Sequence, residues 1–352
     1  MRICMIVEDC PPGGGGGGFF VKELAERLSK KNKIIVVTRG EYDSDETEGN
    51  IIIRRMSGSR ISFIARAVHH LIKAPTCDIY HAHGVFAGLI AKKVQLFKHK
   101  PVILHVHGFR SREISGIFKY ELQKMITKLN FAKIISVDEE STRKMRDLGV
   151  KNVVTIPVGI DRDMFRPDPK ARKTGKRFLF VGRLEEVKNI WTLLKAFESL
   201  YSHGTRIELW IAGSGGMENE LKNYCRGRSE YLQTVKFLGN VEKEELPKIY
   251  SQCDFFVLPS FSEGMPLTLL EAMASGLPFI VSDIPSLSAI ANGSKGGIIF
   301  ETRDPKDLAE KMKQMIKGKN RLGPNGREYV EKKFSWEKTV RQIEKVYAEV
   351  EA

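Results

Sequence analysis

Cysteine is sparse and unpaired in this sequence. Cys4, Cys10, Cys77, Cys225 and Cys253 are odd in number, scattered, and never in a C-x-x-C pair. A disulfide framework and a cysteine-based zinc site are therefore not indicated. Long apolar runs are missing too: no stretch approaches the roughly 18 consecutive apolar residues of a membrane-spanning helix. Met1 to Val7 runs straight into a strand pattern rather than a signal peptide. These absences predict a soluble, cytoplasmic chain. No repeat of fixed period is present, though the two halves share one plan.

Acids are scarce over one fifth of the chain. From Arg60 to Lys133, thirteen Lys and Arg face only Asp78, Glu113 and Glu121, a net of +10 within a formal +14 for the whole chain. The cations interleave with apolar residues over Arg60–Lys73 and Gly116–Leu129, and each stretch reads as a basic amphipathic helix. Such helices suit an anionic membrane surface, nucleic-acid phosphates, or the solvated face of an ordinary packed helix. We expect the membrane surface, with the protein peripheral at the inner face of the cell membrane, and no nucleic-acid partner.

What is present is alternation. At 352 residues and 42% apolar composition, the chain exceeds one typical core and can fill two. Short apolar runs alternate with helical patterns from end to end, predicting an α/β protein with parallel sheets covered on both faces. Strands are expected at Arg2–Val7, Lys33–Thr38, Ile51–Arg55, Asp78–His83, Val102–His107, Lys133–Val137 and Val153–Ile156 in the first half. The second half offers Phe178–Val181, Arg206–Ala212, Thr234–Leu238, Asp254–Leu258, Phe279–Ser282 and Gly297–Phe300. Asp161 to Lys176 is rich in charge and Pro and lacks apolar periodicity. We read residues 1–160 as one Rossmann-like doubly wound domain, 161–176 as a linker, 177–335 as a second such domain, and 336–352 as a final helix that packs back on the first. In doubly wound sheets ligands bind beyond the carboxyl ends of the strands, so a site is expected in a cleft between the two domains.

The most informative segment is Ser262 to Gly276, with Glu263 and Glu271 eight residues apart. If both lay on one helix, their separation along its axis would be roughly 12 Å. Glycosidase carboxylates stand roughly 5 to 9.5 Å apart across one bond, so this spacing suits two ends of an extended ligand. A helix over Leu267–Ala274, with Pro266 at its first position, presents backbone N–H groups to an anion. The second half opens Phe178-Leu-Phe-Val-Gly-Arg-Leu-Glu-Glu-Val-Lys-Asn189, so Gly182 turns the backbone while Arg183 and Lys188 leave the strand end. Two cations there can neutralise a diphosphate leaving group.

After the first strand, Gly13 to Gly18 form a loop without side chains, followed by a helix from about Val21 to Lys30. A dinucleotide fingerprint would need an acid at the end of the second strand, which instead reads Val36-Val-Thr-Arg-Gly40, so a dehydrogenase is set aside. His81, His83, His105 and His107 end two strands, with each pair turned to one face. Carboxylates at ligand spacing are missing nearby, so we expect no metal, with His107 pointing into the cleft and the others packed. Asp43-Ser-Asp45 and Asp161-Arg-Asp163 spell D-x-D, but the first lies in a polar, apparently loose loop and the second in the linker.

Together Glu263-x7-Glu271, Phe180-Val-Gly-Arg-Leu184 with Lys188, Pro157-Val-Gly-Ile-Asp161, Phe334-Ser-Trp336 and the glycine loop resemble the family 4 retaining glycosyltransferases of the GT-B fold. The resemblance implies that Arg183 and Lys188 bind the donor diphosphate, Glu263 the transferred sugar and Glu271 the ribose. It places His107 beside the sugar and the glycine loop, including Gly15 and Gly16, over the phosphate and acceptor. By the same resemblance, Gly182, Gly213, Gly264, Met265, Pro266 and Leu267 would complete the nucleotide-sugar pocket. Two departures, Val158 where Asn is commoner and Asp138 where Ser is frequent, touch no reacting group. The implied activity is metal-independent transfer, with retention, from a UDP- or GDP-sugar to a glycan or lipid-linked acceptor. Alternatives are a nucleotide-sugar 2-epimerase, a phosphorylase, for which no pyridoxal phosphate lysine is identifiable, or a non-enzymatic basic surface-binding protein.

Overall fold

The computed structural model describes residues 1–11, 16–109, 117–171, 174–202, 204–226, 234–318 and 321–351. The chain divides into two units, Met1–Val158 with Trp336–Ala352, and Gly159–Ser335.

The first unit is built on β1 (Arg2–Asp9), β2 (Lys33–Arg39), β3 (Ser44–Glu48), β4 (Ile51–Met56), β5 (Ile79–His83), β6 (Val102–Val106), β7 (Lys133–Ser136) and β8 (Val153–Thr155), in the order β3-β4-β2-β1-β5-β6-β7-β8. Its helices are α1 (Gly16–Leu28), α2 (Arg60–Lys73), α3 (Val85–Lys98), α4 (Ile117–Thr127), α5 (Glu139–Asp147) and, from the other end of the chain, Trp336–Glu351. The strand runs are continuously apolar because helices cover both faces. On one face Tyr80, Ala82, Leu104 and Val106 pack with Phe63, Ala67, Ile90, Ala91 and Ile126 of α2, α3 and α4. The terminal helix joins α1 on the other: the Phe20 and Trp336 rings stack at 5.3 Å, and the Arg27 guanidinium lies 4.4 Å above the Trp336 ring.

Three expectations change here. The segment holding Asp43 and Asp45 is not a loose loop but β3, an antiparallel edge strand on β4. Its acidic sequence hides a strand because the register sets Asp45 opposite Arg54, and ion pairs Asp45–Arg54 and Glu46–Arg55 offset poor strand propensity. α1 begins at Gly16, inside the glycine run rather than near Val21. At Gly18 an added Cβ would stand 2.3 Å from the Asp9 carbonyl oxygen, so only glycine lets this helix start so close to β1. Finally, residues expected as linker dock on the second unit, where the buried Phe165 meets Tyr250 edge-on at 5.8 Å. Asp138, the departure from Ser, serves as the N-cap of α5, accepting from Ser141 N at 2.7 Å.

The second unit carries β9 (Arg177–Val181), β10 (Glu208–Ala212), β11 (Val235–Gly239), β12 (Phe255–Leu258), β13 (Phe279–Ser282) and β14 (Gly297–Phe300), ordered β11-β10-β9-β12-β13-β14 and parallel throughout. Between them lie α6 (Ile190–Ser202), α7 (Glu218–Arg226), α8 (Leu246–Gln252), α9 (Leu267–Ala274) and α10 (Pro285–Ser294), followed by α11 (Pro305–Lys317) and α12 (Leu322–Lys333). The terminal helix is then α13. Strand order reverses beside β1, between β1 and β5, in the first unit and between β9 and β12 in the second. Such switch points open a crevice at the carboxyl ends of the strands.

Candidate active site

In the second unit the loops leaving β9 and β12 meet at the switch point. Lys188 Nζ lies 2.6 Å from Glu263 Oε1, and Ser260 Oγ donates to the same oxygen at 2.7 Å. The Glu263 carbonyl accepts from Ser286 Oγ at 3.0 Å. Glu263 and Lys188 are only 10% and 18% exposed, which gives this pair more weight than a surface ion pair. Asn189 fixes the approach: in the left-handed conformation, with φ 51°, it ends the single 3-10 turn Glu186–Lys188. Its Nδ2 donates to the Pro259 carbonyl at 3.0 Å, tying the lysine loop to the end of β12.

The glycines let these loops nest. Gly213 follows β10 with φ 130°, and a Cβ there would stand 2.0 Å from the Gly182 carbonyl oxygen. Gly264 and Met265 form a half-buried bend between Glu263 and α9. Pro266 is the buried N-cap, one place earlier than expected, so Leu267 opens the helix. Glu263 therefore lies off α9, and helical rise does not measure its distance from Glu271. Glu271 is buried in the helix, 3.0 Å from the Tyr250 hydroxyl, whose single proton is shared with the Thr268 carbonyl at 3.1 Å. Burial, reinforced by the Glu271 charge, pushes Tyr250 well above the usual phenol range, so it stays a donor. Arg183 is not drawn into this cluster. It is exposed and bonded to Glu185 at 2.6 Å, a pairing weak enough to exchange for an arriving anion. Nothing in the sequence flagged Asn189, Ser260, Ser286 or Tyr250, because short polar side chains carry no periodic signal and a tyrosine in an amphipathic segment reads as core packing.

In the first unit the four strand-end histidines come together on the face covered by α1 and α13. His83 pairs with His105 in the β5–β6 ladder, and alternation places His81 and His107 on the same face. His81, His83 and His105 are buried, whereas His107 is partly exposed. His83 Nδ1 is 3.2 Å from His107 Nε2, and a Cβ on Gly17 would lie 3.6 Å from the His107 ring. Desolvation is the main cause that holds all four neutral, pushing His81 down to about 3, His107 to about 4, and His83 and His105 well below the ordinary range. Gly16 is the exposed first residue of α1, and Gly15 lies outside the described residues.

Ring nitrogens of His81, His83 and His105 lie within 4.8 Å of one another. The arrangement nevertheless suits a metal poorly. Both His81 ring nitrogens already have protein partners, Nδ1 meeting Tyr347 Oη at 2.7 Å and Nε2 meeting His105 Nδ1 at 3.3 Å, which leaves Nε2 of His83 and Nε2 of His105 as the unengaged nitrogens of the three rings. The D-x-D carboxylates are engaged as well: Asp43 accepts from Ser57 and pairs with Arg66, Asp45 pairs with Arg54, and Asp161 accepts from the amides of Asp163 and Met164.

The family profile of glycosyl transferases group 1 matches residues 161–343, and that of Glycosyltransferase Family 4 matches residues 14–164. An uncharacterised glycosyltransferase of Methanocaldococcus jannaschii is 26% identical over 94% of this chain and 93% of its own. The Escherichia coli UDP-Gal:α-D-GlcNAc-diphosphoundecaprenol α-1,3-galactosyltransferase is 26% identical over 81% and 78% of the two chains. Among solved structures, sucrose-phosphate synthase from Thermosynechococcus elongatus superposes with a TM-score of 0.87 at 20% identity, covering 99% of this chain and 98% of that one. Anabaena HepE in complex with UDP and glucose superposes at 0.82 with 16% identity, covering 99% of each. These structures bear on the fold, whereas the two profiles span nearly the whole sequence and put the Lys188–Glu263 loops and the glycine–histidine region each within one half. The chain belongs to the group 1, family 4 glycosyltransferases and has their GT-B fold.

Proposed function

We propose that this glycosyltransferase moves a hexosyl unit, with retention and without a metal, from a UDP- or GDP-sugar to a hydroxyl of a glycan or lipid-linked acceptor. The observation that carries this reading is the Lys188–Glu263–Ser260 cluster at the switch point ahead of α9. Lys188 and Arg183 are the cations for the leaving diphosphate, aided by the N–H groups of the first turn of α9. Glu263, held by Ser260 and Ser286 when Lys188 turns to phosphate, recognises the transferred sugar, and Glu271 the ribose. His107 contacts the sugar. The C1–O bond to phosphate breaks while the acceptor oxygen bonds C1 on the same face, and the acceptor proton passes to a phosphate oxygen. No protein nucleophile is needed, and the cations supply the charge stabilisation that a metal would otherwise provide.

The relatives' names support the donor and acceptor classes: one uses UDP-Gal and a diphosphoundecaprenol-linked acceptor, and another, from Staphylococcus aureus, belongs to capsular polysaccharide biosynthesis. For the acceptor side we propose contact with an anionic bilayer. Among the described residues no helix is long and apolar enough to cross a membrane. Leu96 and Phe97 at the end of α3 are 72% and 62% exposed, and Met125 of α4 is 56% exposed. Lys92 Nζ of α3 donates to the carbonyl of Asn130, just beyond α4, at 2.7 Å, and Lys93 and Lys128 are exposed close to these residues in sequence. Part of the basic excess is neutralised from outside the segment, since Arg60 pairs with Glu8, Arg66 with Asp43 and Lys133 with Glu349.

The test is thermal unfolding with UDP, GDP and ADP, followed by NMR of the product anomer. A nucleoside diphosphate at 100 times its dissociation constant adds about 2.7 kcal/mol of stability. No shift with any of them removes the donor reading, and an inverted anomer removes retention.

A further inference from the structure

The four histidines form two hydrogen-bonded couples. His81 Nε2 meets His105 Nδ1 at 3.3 Å, and His83 Nδ1 meets His107 Nε2 at 3.2 Å. Within each couple the ring planes differ by only 18° and 22°. The couples lie one on the other, with the His105 and His107 rings 4.7 Å apart and 3° from parallel. Phe20 of α1 closes one side, packed edge-on with its ring centroid 5.0 and 5.3 Å from those of His105 and His107. Tyr347 of α13 ends the chain of contacts at His81.

One member of each couple has an unmatched nitrogen. Nε2 of His83 and Nε2 of His105 are buried with no hydrogen-bond partner. A neutral imidazole has one N–H and one bare nitrogen. Buried N–H groups without a partner are rarer in folded proteins than unmatched acceptors. The unmatched Nε2 atoms are therefore the bare ones, and the protons of His83 and His105 sit on Nδ1. It follows that His83 Nδ1–H donates to His107 Nε2. His107, accepting at Nε2, keeps its own proton on Nδ1.

We infer that His83 is a positioning residue that locks His107 as the neutral Nδ1–H tautomer, so that His107 offers a ligand oxygen a hydrogen-bond donor rather than a base. That is the minor neutral form of the histidine side chain in water, so it needs a cause, and the His83 bond supplies one. Burial adds a second constraint, since a proton shared among four desolvated rings would be an uncompensated buried charge. The same reasoning makes His105 the donor to His81, and His81 Nδ1–H the donor to the Tyr347 oxygen. Only the statement that the partner oxygen belongs to the sugar rests on the proposed function. The tautomer rests on ring geometry and burial.

The test is a long-range 1H–15N correlation spectrum of the full chain with 15N-labelled histidine at pH 7.5, with the His107 signals assigned by loss in His107→Gln. The expected pattern for His107 is a protonated Nδ1 and a bare Nε2. His83→Leu removes the donor and is expected to move His107 toward the Nε2–H form and lower kcat/KM roughly tenfold, the loss of one hydrogen bond. His83→Asn, with an amide N–H near the Nδ1 position, restores both. A wild-type spectrum with His107 protonated at Nε2 overturns the inference whether or not any variant folds. So does an Nδ1–H His107 that persists in His83→Leu. If the tautomer is as expected but His107→Gln transfers sugar at the wild-type rate, the assignment of His107 to the sugar fails and the His83 lock stands.

Discussion

Lys188 Nζ stands 2.6 Å from Glu263 Oε1, although the two residues are 75 positions apart in the chain. Each leaves a different strand, β9 or β12, and these are neighbours only because the sheet order reverses there. The pair holds a lysine and a carboxylate together, both largely shielded from solvent. It is the part of the site from which substitutions are read most directly.

Lys188→Ala is expected to weaken UDP binding roughly 10- to 150-fold, the range for a charge-assisted hydrogen bond of about 1.5–3 kcal/mol. Glu263→Gln should leave UDP affinity unchanged or improved, because it removes the competing anion, while transfer falls about 100-fold. Isothermal titration alongside a transfer assay separates the two. Unchanged UDP affinity in Lys188→Ala removes the lysine from the diphosphate site.

Gly213→Ala forces a Cβ against the Gly182 carbonyl at a φ of 130°. Overpacking and backbone strain together cost about 2–5 kcal/mol, or a fall of roughly 5–15 °C in Tm for a unit of this size. Gly216, where an added Cβ meets nothing within 4 Å, is the control and should change stability by less than about 0.5 kcal/mol. Equal melting curves for the two variants would contradict the close approach of the β9 and β10 loops.

The histidine quartet makes stability depend on pH. Its folded pKa values lie below the ordinary histidine value, chiefly through desolvation, so below about pH 6.5 the unfolded chain binds more protons than the folded one. The quartet's contribution is complete above about pH 6.5 and is lost progressively as pH falls from there to about 3 and below. The groups packed on the rings are Phe20 and Tyr347, with the Glu344 charge near Tyr347. Urea midpoints should drop between pH 7.5 and 5 in the wild type and drop less in a His81→Gln, His105→Gln double variant. Parallel pH profiles would assign the loss to other groups.

Membrane contact is read by co-sedimentation. The full chain should pellet with vesicles rich in phosphatidylglycerol at low salt, stay in solution with phosphatidylcholine alone, and be released by salt as the surface charges are screened. A Leu96→Glu, Phe97→Glu variant should remain in the supernatant. If it pellets like wild type, the apolar tip of α3 is not the contact.

Much of this protein was legible one segment at a time. The alternation of apolar runs and helical patterns foretold two parallel α/β sheets, and the motif order foretold the family. Gly182 and Pro266 stood out because they end or open an element, and Glu263 and Lys188 because of their charge and spacing at strand ends. The acidic strand β3 did not stand out, since its stability comes from Arg54 and Arg55 across the hairpin rather than from its own residues. The glycine-rich start of α1 was hidden for a related reason: glycine is a poor helix former, and the gain lies in its close approach to β1.

Local pattern therefore determined which elements exist and which residues stand at strand ends, because side-chain periodicity and backbone propensity act over a few residues. Tertiary structure alone decided partnership. It set Lys188 on Glu263 while leaving Arg183 exposed with Glu185, and it brought Tyr347 to His81 from 266 residues away. It also stacked four imidazoles where hydrogen-bond supply, rather than intrinsic preference, dictates the position of each proton. Sheet order and burial create those neighbours, and the low polarity of the interior makes an unmatched nitrogen or charge costly enough to choose between them.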